Sequence, residues 1–195
     1  MAPQDPEVRR LVEEMNRSPI AERFRKTPGE SLAAEGEIFP SAVLPVLAVN
    51  KAGEPRVFPM KWGFSGKGRL LINARCETAA DKPSFREAWR DHRCTVPVSW
   101  YFEWKHNEKK KAGQKYALRP EGTGLVRLAG LYRMEEGLPV FVILTRPADE
   151  SLLWMHDRMP VMLPEAEAEQ WIRPDADPEA LIQKYLSKVS WEQAG

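Results

Sequence analysis

The chain has 195 residues, is 43% apolar, and carries 29 basic against 28 acidic side chains for a net charge of +1. That length and apolar fraction suit one ordinary domain, residues 1–195. The balanced charge excludes nucleic-acid binding through bulk positive charge and leaves room only for a local basic cleft.

Two cysteines, Cys76 and Cys94, stand outside any regular framework, which implies free thiols in a reducing compartment. No apolar run approaches the ~20 residues that cross a membrane. No charged-then-apolar leader opens the chain. The expectation is a cytoplasmic protein without a membrane partner.

Asp5-Pro6 reads as a helix start, with Asp as N-cap and Pro at the first helical position. Val8, Leu11, Val12 and Met15 then follow the spacing of one apolar helix face. Ser18-Pro19 ends or kinks that helix, and residues 27–37 read as a loop. Residues 42–49 and 57–62 are strands about a turn containing Gly53. Ser65-Gly66-Lys67-Gly68 is the next turn, and 69–73 the next strand. Ser84-Phe85-Arg86-Glu87 has the capping-box pattern, so a short helix is expected with Phe85, Ala88 and Trp89 inward. Residues 94–104 read as a strand interrupted at Pro97, and 107–113 as a lysine-rich hairpin tip. Strands follow at 115–118, 126–131 and 140–144. A helical turn at 151–155, a strand end at 161–163 and a helix at 165–172 come next. Asp177-Pro178 caps a last helix reaching Ser187. This order predicts an α+β domain, mainly antiparallel, with a β-barrel-like core and peripheral helices.

The chemistry concentrates between Leu70 and Lys105. Glu103 stands between Phe102 and Trp104, where desolvation by aromatic neighbours raises a carboxyl pKa and suits a general acid. Plain strand alternation would instead turn it to solvent. His156, in His156-Asp157-Arg158-Met159-Pro160, is a proton shuttle or a surface-loop histidine. Asn73, Arg75 and Glu77 alternate and share a face if the strand continues. There they would hold a phosphate and a polar substrate group, or form a polar edge with an Arg–Glu pair. Cys94 reads as core, and alternation turns Cys76 away from Asn73. No spacing matches a metal site and no glycine-rich phosphate loop occurs, so no cofactor is expected. Lys109, Lys110 and Lys111 read as a solvated loop. Trp62, Trp100, Tyr101, Phe102 and Trp104 near Arg75, Arg86 and Arg158 suit single-stranded nucleic acid, and suit a core equally.

Three pieces taken together are more specific. Ile72-Asn73-Ala74-Arg75-Cys76-Glu77-Thr78 with Lys82-Pro83-Ser84-Phe85-Arg86 is one. Arg93-Cys94 with Tyr101-Phe102-Glu103-Trp104 is the second, and His156 to Pro160 the third. Their order and spacing resemble the SRAP family of SOS-response-associated, abasic-site processing proteins, from about Glu37 to Trp171. The resemblance implies a monomer that binds single-stranded DNA, or a single-strand/duplex junction, at an abasic site, on the nucleoid when so bound. It implies an N-terminal cysteine whose amine forms a Schiff base with the sugar aldehyde and whose thiol closes a thiazolidine. Carried over, Asn73 would position amine and sugar, Glu103 would assist proton transfer at the amine, and His156 would assist ring opening. Arg75, Arg86 and Arg158 would hold phosphates. Pro40, Trp62 and Trp104 would stack on or wedge against bases.

The chain departs from the family at its start. Met1-Ala2-Pro3-Gln4 stands where the family has Met-Cys-Gly-Arg. Three explanations compete: a start that omits the true N-terminus, a cysteine-less member that binds without crosslinking, or Ala2 as the reactive amine. Trp100 also replaces a usual glycine. Two rival functions are a hydrolase using Glu103, His156 and Asn73, and a non-crosslinking DNA-binding module.

Overall fold

The computed structural model describes residues 5–30, 32, 36–106, 112–122 and 124–194. Ala2 and the lysines at 109–111 lie outside the described residues. The chain opens with helices α1 (Pro6–Arg17) and α2 (Pro19–Lys26). The Asp5 carboxylate accepts the Glu7 N–H at 2.8 Å, and Val8, Leu11 and Met15 are buried, as the sequence expects. Ser18 caps α2 and ends α1, so the helix breaks at Ser18-Pro19 and a second one follows.

Strands β1 (Val43–Val49), β2 (Pro55–Trp62), β3 (Phe64–Ser65), β4 (Leu70–Leu71) and β5 (Asn73–Arg75) come next. Helices α3 (Cys76–Ala79) and α4 (Arg86–Asp91) precede β6 (Arg93–Val98), β7 (Tyr101–His106), β8 (Ala112–Pro120), β9 (Val126–Glu135) and β10 (Leu138–Pro147). After a 3-10 turn at Glu150–Leu152 come β11 (Arg158–Pro160), β12 (Met162–Leu163), α5 (Glu165–Trp171), α6 (Pro178–Ile182) and β13 (Val189–Gln193).

Five strands close a barrel in the order β10-β2-β1-β6-β9, returning to β10. The pairings are antiparallel except where β10 runs parallel to β2 and to β5. Alternate residues of all five strands, including Leu44, Met60, Val96, Leu128 and Phe141, form one buried cluster, which is the barrel interior. The intervening residues of β9 and β10 pack outward with Trp89, Trp171 and Ile182 under the helices. Because both faces of β10 are covered, residues 139–144 are all buried. A separate three-stranded sheet, ordered β13-β8-β7, stands beside the barrel.

The helical layer is fastened by one cation. Arg93 is 2% exposed and donates to five backbone carbonyls: Trp89 and Arg90 at 2.8 Å, Trp171 at 2.8 Å, Ala176 at 3.0 Å, and Arg173. These lie at or beyond the C-terminal ends of α4 and α5, where carbonyls lack intrahelical partners and the helix dipole favours a cation. Burial lowers the guanidinium pKa, but the group stays charged.

Four local expectations are corrected. Helix α4 starts at Arg86 with Phe85 at its N-cap and no side-chain cap bond, so Ser84 does not build a capping box. Phe85 is drawn into the core against Phe64, and that burial sets where the helix begins. The strand does not break at Pro97, which pairs with Arg127 inside β6; the break falls at Ser99 and Trp100. The strand expected at 69–73 is two short ones, and it turns into α3 after Arg75, so Glu77 does not continue the alternation. The last helix stops at Ile182, and the strand β13 follows.

Arg93→Met is expected to lower stability by about 3 kcal/mol or more, because it strips charged donors from several buried carbonyls at once. Equilibrium urea unfolding measures it. A loss within ~0.5 kcal/mol would show that the carbonyls find other partners.

Candidate active site at the barrel mouth

Strand β10 sets half of the site through its register. Phe141 stands opposite Trp62, Ile143 opposite Asn73, and Thr145 opposite both Arg75 and Pro160. On β5 the buried Ala74 separates two exposed side chains, Asn73 and Arg75, on one face. The Trp62 indole donates to the Ile72 carbonyl at 2.9 Å and stacks nearly parallel on Phe141, so its ring is held on both counts. Gly63 follows with φ +125°, and a Cβ there would lie 2.6 Å from Leu70. Only glycine makes that turn without displacing Leu70.

The other wall is β7, an edge strand of the three-stranded sheet. Alternation places Phe102 and Trp104 on one face and Tyr101 and Glu103 on the other. A Glu103 carboxylate oxygen accepts the Trp104 N–H at 3.2 Å. Burial pushes the Tyr101 phenol pKa up, with the charges of Glu103 and Asp149 adding to it. The Tyr101 hydroxyl is buried without a hydrogen-bond partner among the described residues.

His156 and Arg158 enter on the segment leading into β11. The His156 Nδ1 accepts the Arg158 backbone N–H at 2.9 Å. A neutral ring held this way carries its proton on Nε2. Asp157, mostly exposed, stands 3.3 Å from Nδ1. Arg158 forms a bidentate pair with Glu77, and its Nη2 also donates to the Thr145 carbonyl at 2.7 Å. The hydrogen bonds from Arg158 hold the Glu77 carboxyl down to about 2, against the opposing effect of burial. A phosphate approaching Arg158 therefore competes with a carboxylate already in place.

Asn73, Glu103, His156 and Arg158 line one cleft of about 410 Å3, together with Pro40, Trp62 and Trp104. Trp100, Tyr101 and Phe102 line it too. Arg75 and Arg86 do not. Both are exposed and make no side-chain hydrogen bond or ion pair among the described residues, Arg75 beside Asn73 on β5 and Arg86 at the start of α4. Phe39 and Thr145 also line the cleft, and neither belongs to a motif in the sequence. Phe39 is 60% exposed beside Pro40, an aromatic that no core pattern claims. Thr145 is polar at the end of an apolar run, a weak signal. Cys76 is absent from the lining; burial first, then the Glu77 charge, pushes its thiol up to about 11, which keeps it protonated near neutral pH. Among the described residues no cluster could hold a metal ion, and no helix is long and apolar enough to cross a membrane.

A family profile described as SOS response associated peptidase (SRAP) matches residues 9–194. The chain belongs to the SRAP family. Two relatives of this SRAP chain come from Bacillus subtilis. The abasic site processing protein YoqW is 33% identical over 173 residues, 77% of this chain and 76% of that one. The abasic site processing protein YobE is 32% identical over 166 residues, 75% of each. A crystal structure of a protein from Bacteroides thetaiotaomicron shares the fold with a TM-score of 0.72 at 20% identity, across 96% of the SRAP chain and 88% of its own.

The Glu77 pair gives a pH signature. A carboxyl held near 2 rather than 4.5 stabilises the fold above about pH 4.5, and that contribution disappears as pH falls through about 2. Glu77→Gln is expected to lower stability by at most ~1 kcal/mol at neutral pH, since its side chain is 42% exposed and screened. The gap from the parent protein should close between about pH 4.5 and 2 in urea unfolding. A gap that persists there would assign the loss to packing.

Proposed function

We propose that this chain recognises and processes abasic sites in DNA, with the sugar of the damaged nucleotide in the barrel-mouth cleft. The observation that carries the reading is the meeting of Asn73, Glu103 and His156, from three distant parts of the chain, in one aromatic-walled cleft. The relatives named for abasic site processing support it.

An abasic sugar is mostly a closed hemiacetal and reacts through its open aldehyde. Opening it takes a proton from the C1′ hydroxyl and delivers one to the ring oxygen. A carboxylate accepts and an imidazole Nε2–H donates, so Glu103 and His156 supply complementary halves of that transfer. Asn73, which both donates and accepts, orients the freed carbonyl. An amine that attacks the aldehyde forms a carbinolamine, then an imine with loss of water, and Glu103 serves the proton transfers of both steps. The family's amine falls on residue 2 of this chain, Ala2. Trp62, Trp104 and Pro40 replace the missing base as apolar surface against the neighbouring bases, and single-stranded DNA suits them because its bases are free to stack. Arg75 is the cation best placed for a flanking phosphate, since Arg158 is held by Glu77. A hydrolase needs an activated nucleophile. Of the described lining residues, the one aliphatic hydroxyl belongs to Thr145, which is turned to Ala74 and Arg158.

Glu103→Gln should reduce processing of an abasic single strand roughly 100-fold while affinity for the strand changes little. Denaturing gels, with and without borohydride trapping, measure the first and fluorescence anisotropy the second. Undiminished processing would remove Glu103 from the chemistry. Arg75→Ala should weaken binding to all strand sequences alike and flatten its dependence on salt by about one phosphate contact. An unchanged salt slope would make Arg75 a bystander.

A further inference from the structure

The three-stranded sheet has a second recess, on the face opposite Glu103. It measures about 230 Å3 and is lined by Trp100, Phe102, Ala117, Arg119, Glu192 and Ala194. The register explains the set. Phe102 stands opposite Ala117 and Ala117 opposite Glu192, so the three form a row across β7, β8 and β13. Arg119 lies two residues along β8 on the same face, diagonal to Glu192. Two alanines give the floor, two aromatics the wall, and one cation and one anion the rim.

Three observations define an occupant. First, Arg119 and Glu192 form no ion pair with each other, and among the described residues neither side chain has a hydrogen-bond partner. Opposite charges diagonal across neighbouring strands, left unpaired, are free to engage a ligand carrying both donors and acceptors. Second, the recess is smaller than the ~300–1,000 Å3 of pockets for drug-sized ligands, which restricts it to one small ring system. Third, Trp100 and Phe102 line the main cleft as well, so whatever occupies the recess abuts the same two rings as the occupant of the cleft.

We propose that this recess is a base-reading pocket that takes a guanine flanking the abasic position. An unpaired guanine offers N1–H and N2–H2 to a carboxylate and O6 with N7 to a guanidinium, a two-point partner for Glu192 and for Arg119. No other base offers two points to both. Trp100 and Phe102 supply apolar ring surface for its plane. The inference rests on the abasic-site reading for the strand, but the pocket's selectivity for guanine is testable without it.

The test has two arms. Deoxyguanosine monophosphate and deoxyadenosine monophosphate are titrated against tryptophan fluorescence. Single strands carrying a tetrahydrofuran abasic analogue, which cannot open, are compared with guanine or adenine on either side. Guanine should be favoured about tenfold in both arms. Arg119→Ala and Glu192→Gln should each abolish the preference and leave affinity for the adenine-flanked strand unchanged. Equal binding of the two nucleotides with no flanking preference overturns the proposal, as does a preference that survives in both variants. Selective nucleotide binding with no binding of any abasic strand would instead sink the abasic-site reading and leave the pocket standing.

Discussion

The structure depends on the register of β10. This strand bonds to β9 and then β11 along one edge, and to β2 and then β5 along the other. Each strand has two edges, and β10 is long enough to divide each between two partners. Its parallel contact with β2 closes the barrel, and its contacts with β5 and β11 bring Asn73 and Arg158 to the mouth. Both of its faces are buried, so a slip of one residue would exchange Phe141 and Ile143 for Val142 and Leu144 throughout the core. The same slip would carry the site residues out of line. The fold and this half of the site are therefore specified by one set of backbone hydrogen bonds.

The charged groups near the core are handled in two ways. Arg93 is satisfied by carbonyls that two helices leave without partners, so one cation completes both helix ends and fastens them to β6. Arg158 is satisfied by Glu77 and the Thr145 carbonyl, an arrangement that ties the segment carrying His156 to α3 and β10. The first is structural and closed to solvent. The second stands at the cleft wall, where a ligand phosphate would have to displace a carboxylate. That difference makes exposed, unpaired Arg75 the stronger candidate for a phosphate contact, although Arg158 lies in the cleft and Arg75 does not.

Edge strand β7 serves two recesses. Its alternation sends Glu103 to one face and Phe102 to the other, and Trp100 and Phe102 stand in the walls of both recesses. A strand with partners on both edges would have no free rim to form such walls. The cleft thus combines a rigid half, hung on β10, with a half built from an open sheet edge.

What the sequence determined was local. The Asp5-Pro6 cap, the apolar face of α1 and the strand-forming runs of β1, β2, β9 and β10 depend on neighbours a few residues away, and they emerged as expected. The three motif pieces also carried the family, because their residue types and order do not require a fold to be compared. Tertiary structure decided where local signals compete with burial. Ser84 has the cap pattern, but Phe85 is worth more in the core, so α4 begins after it. Pro97 carries a strand-breaking signal, yet β1 pairs with β6 only at Leu47 and Thr95, and no neighbour on that side needs the missing N–H. Residues 189–193 are too short a run to be read alone; pairing with the edge of β8 makes them a strand. That Glu103 and the Asn73–His156 wall line one cleft lies furthest beyond the sequence, since it arises from two sheets packing together, and no periodicity along one chain segment encodes the distance between two.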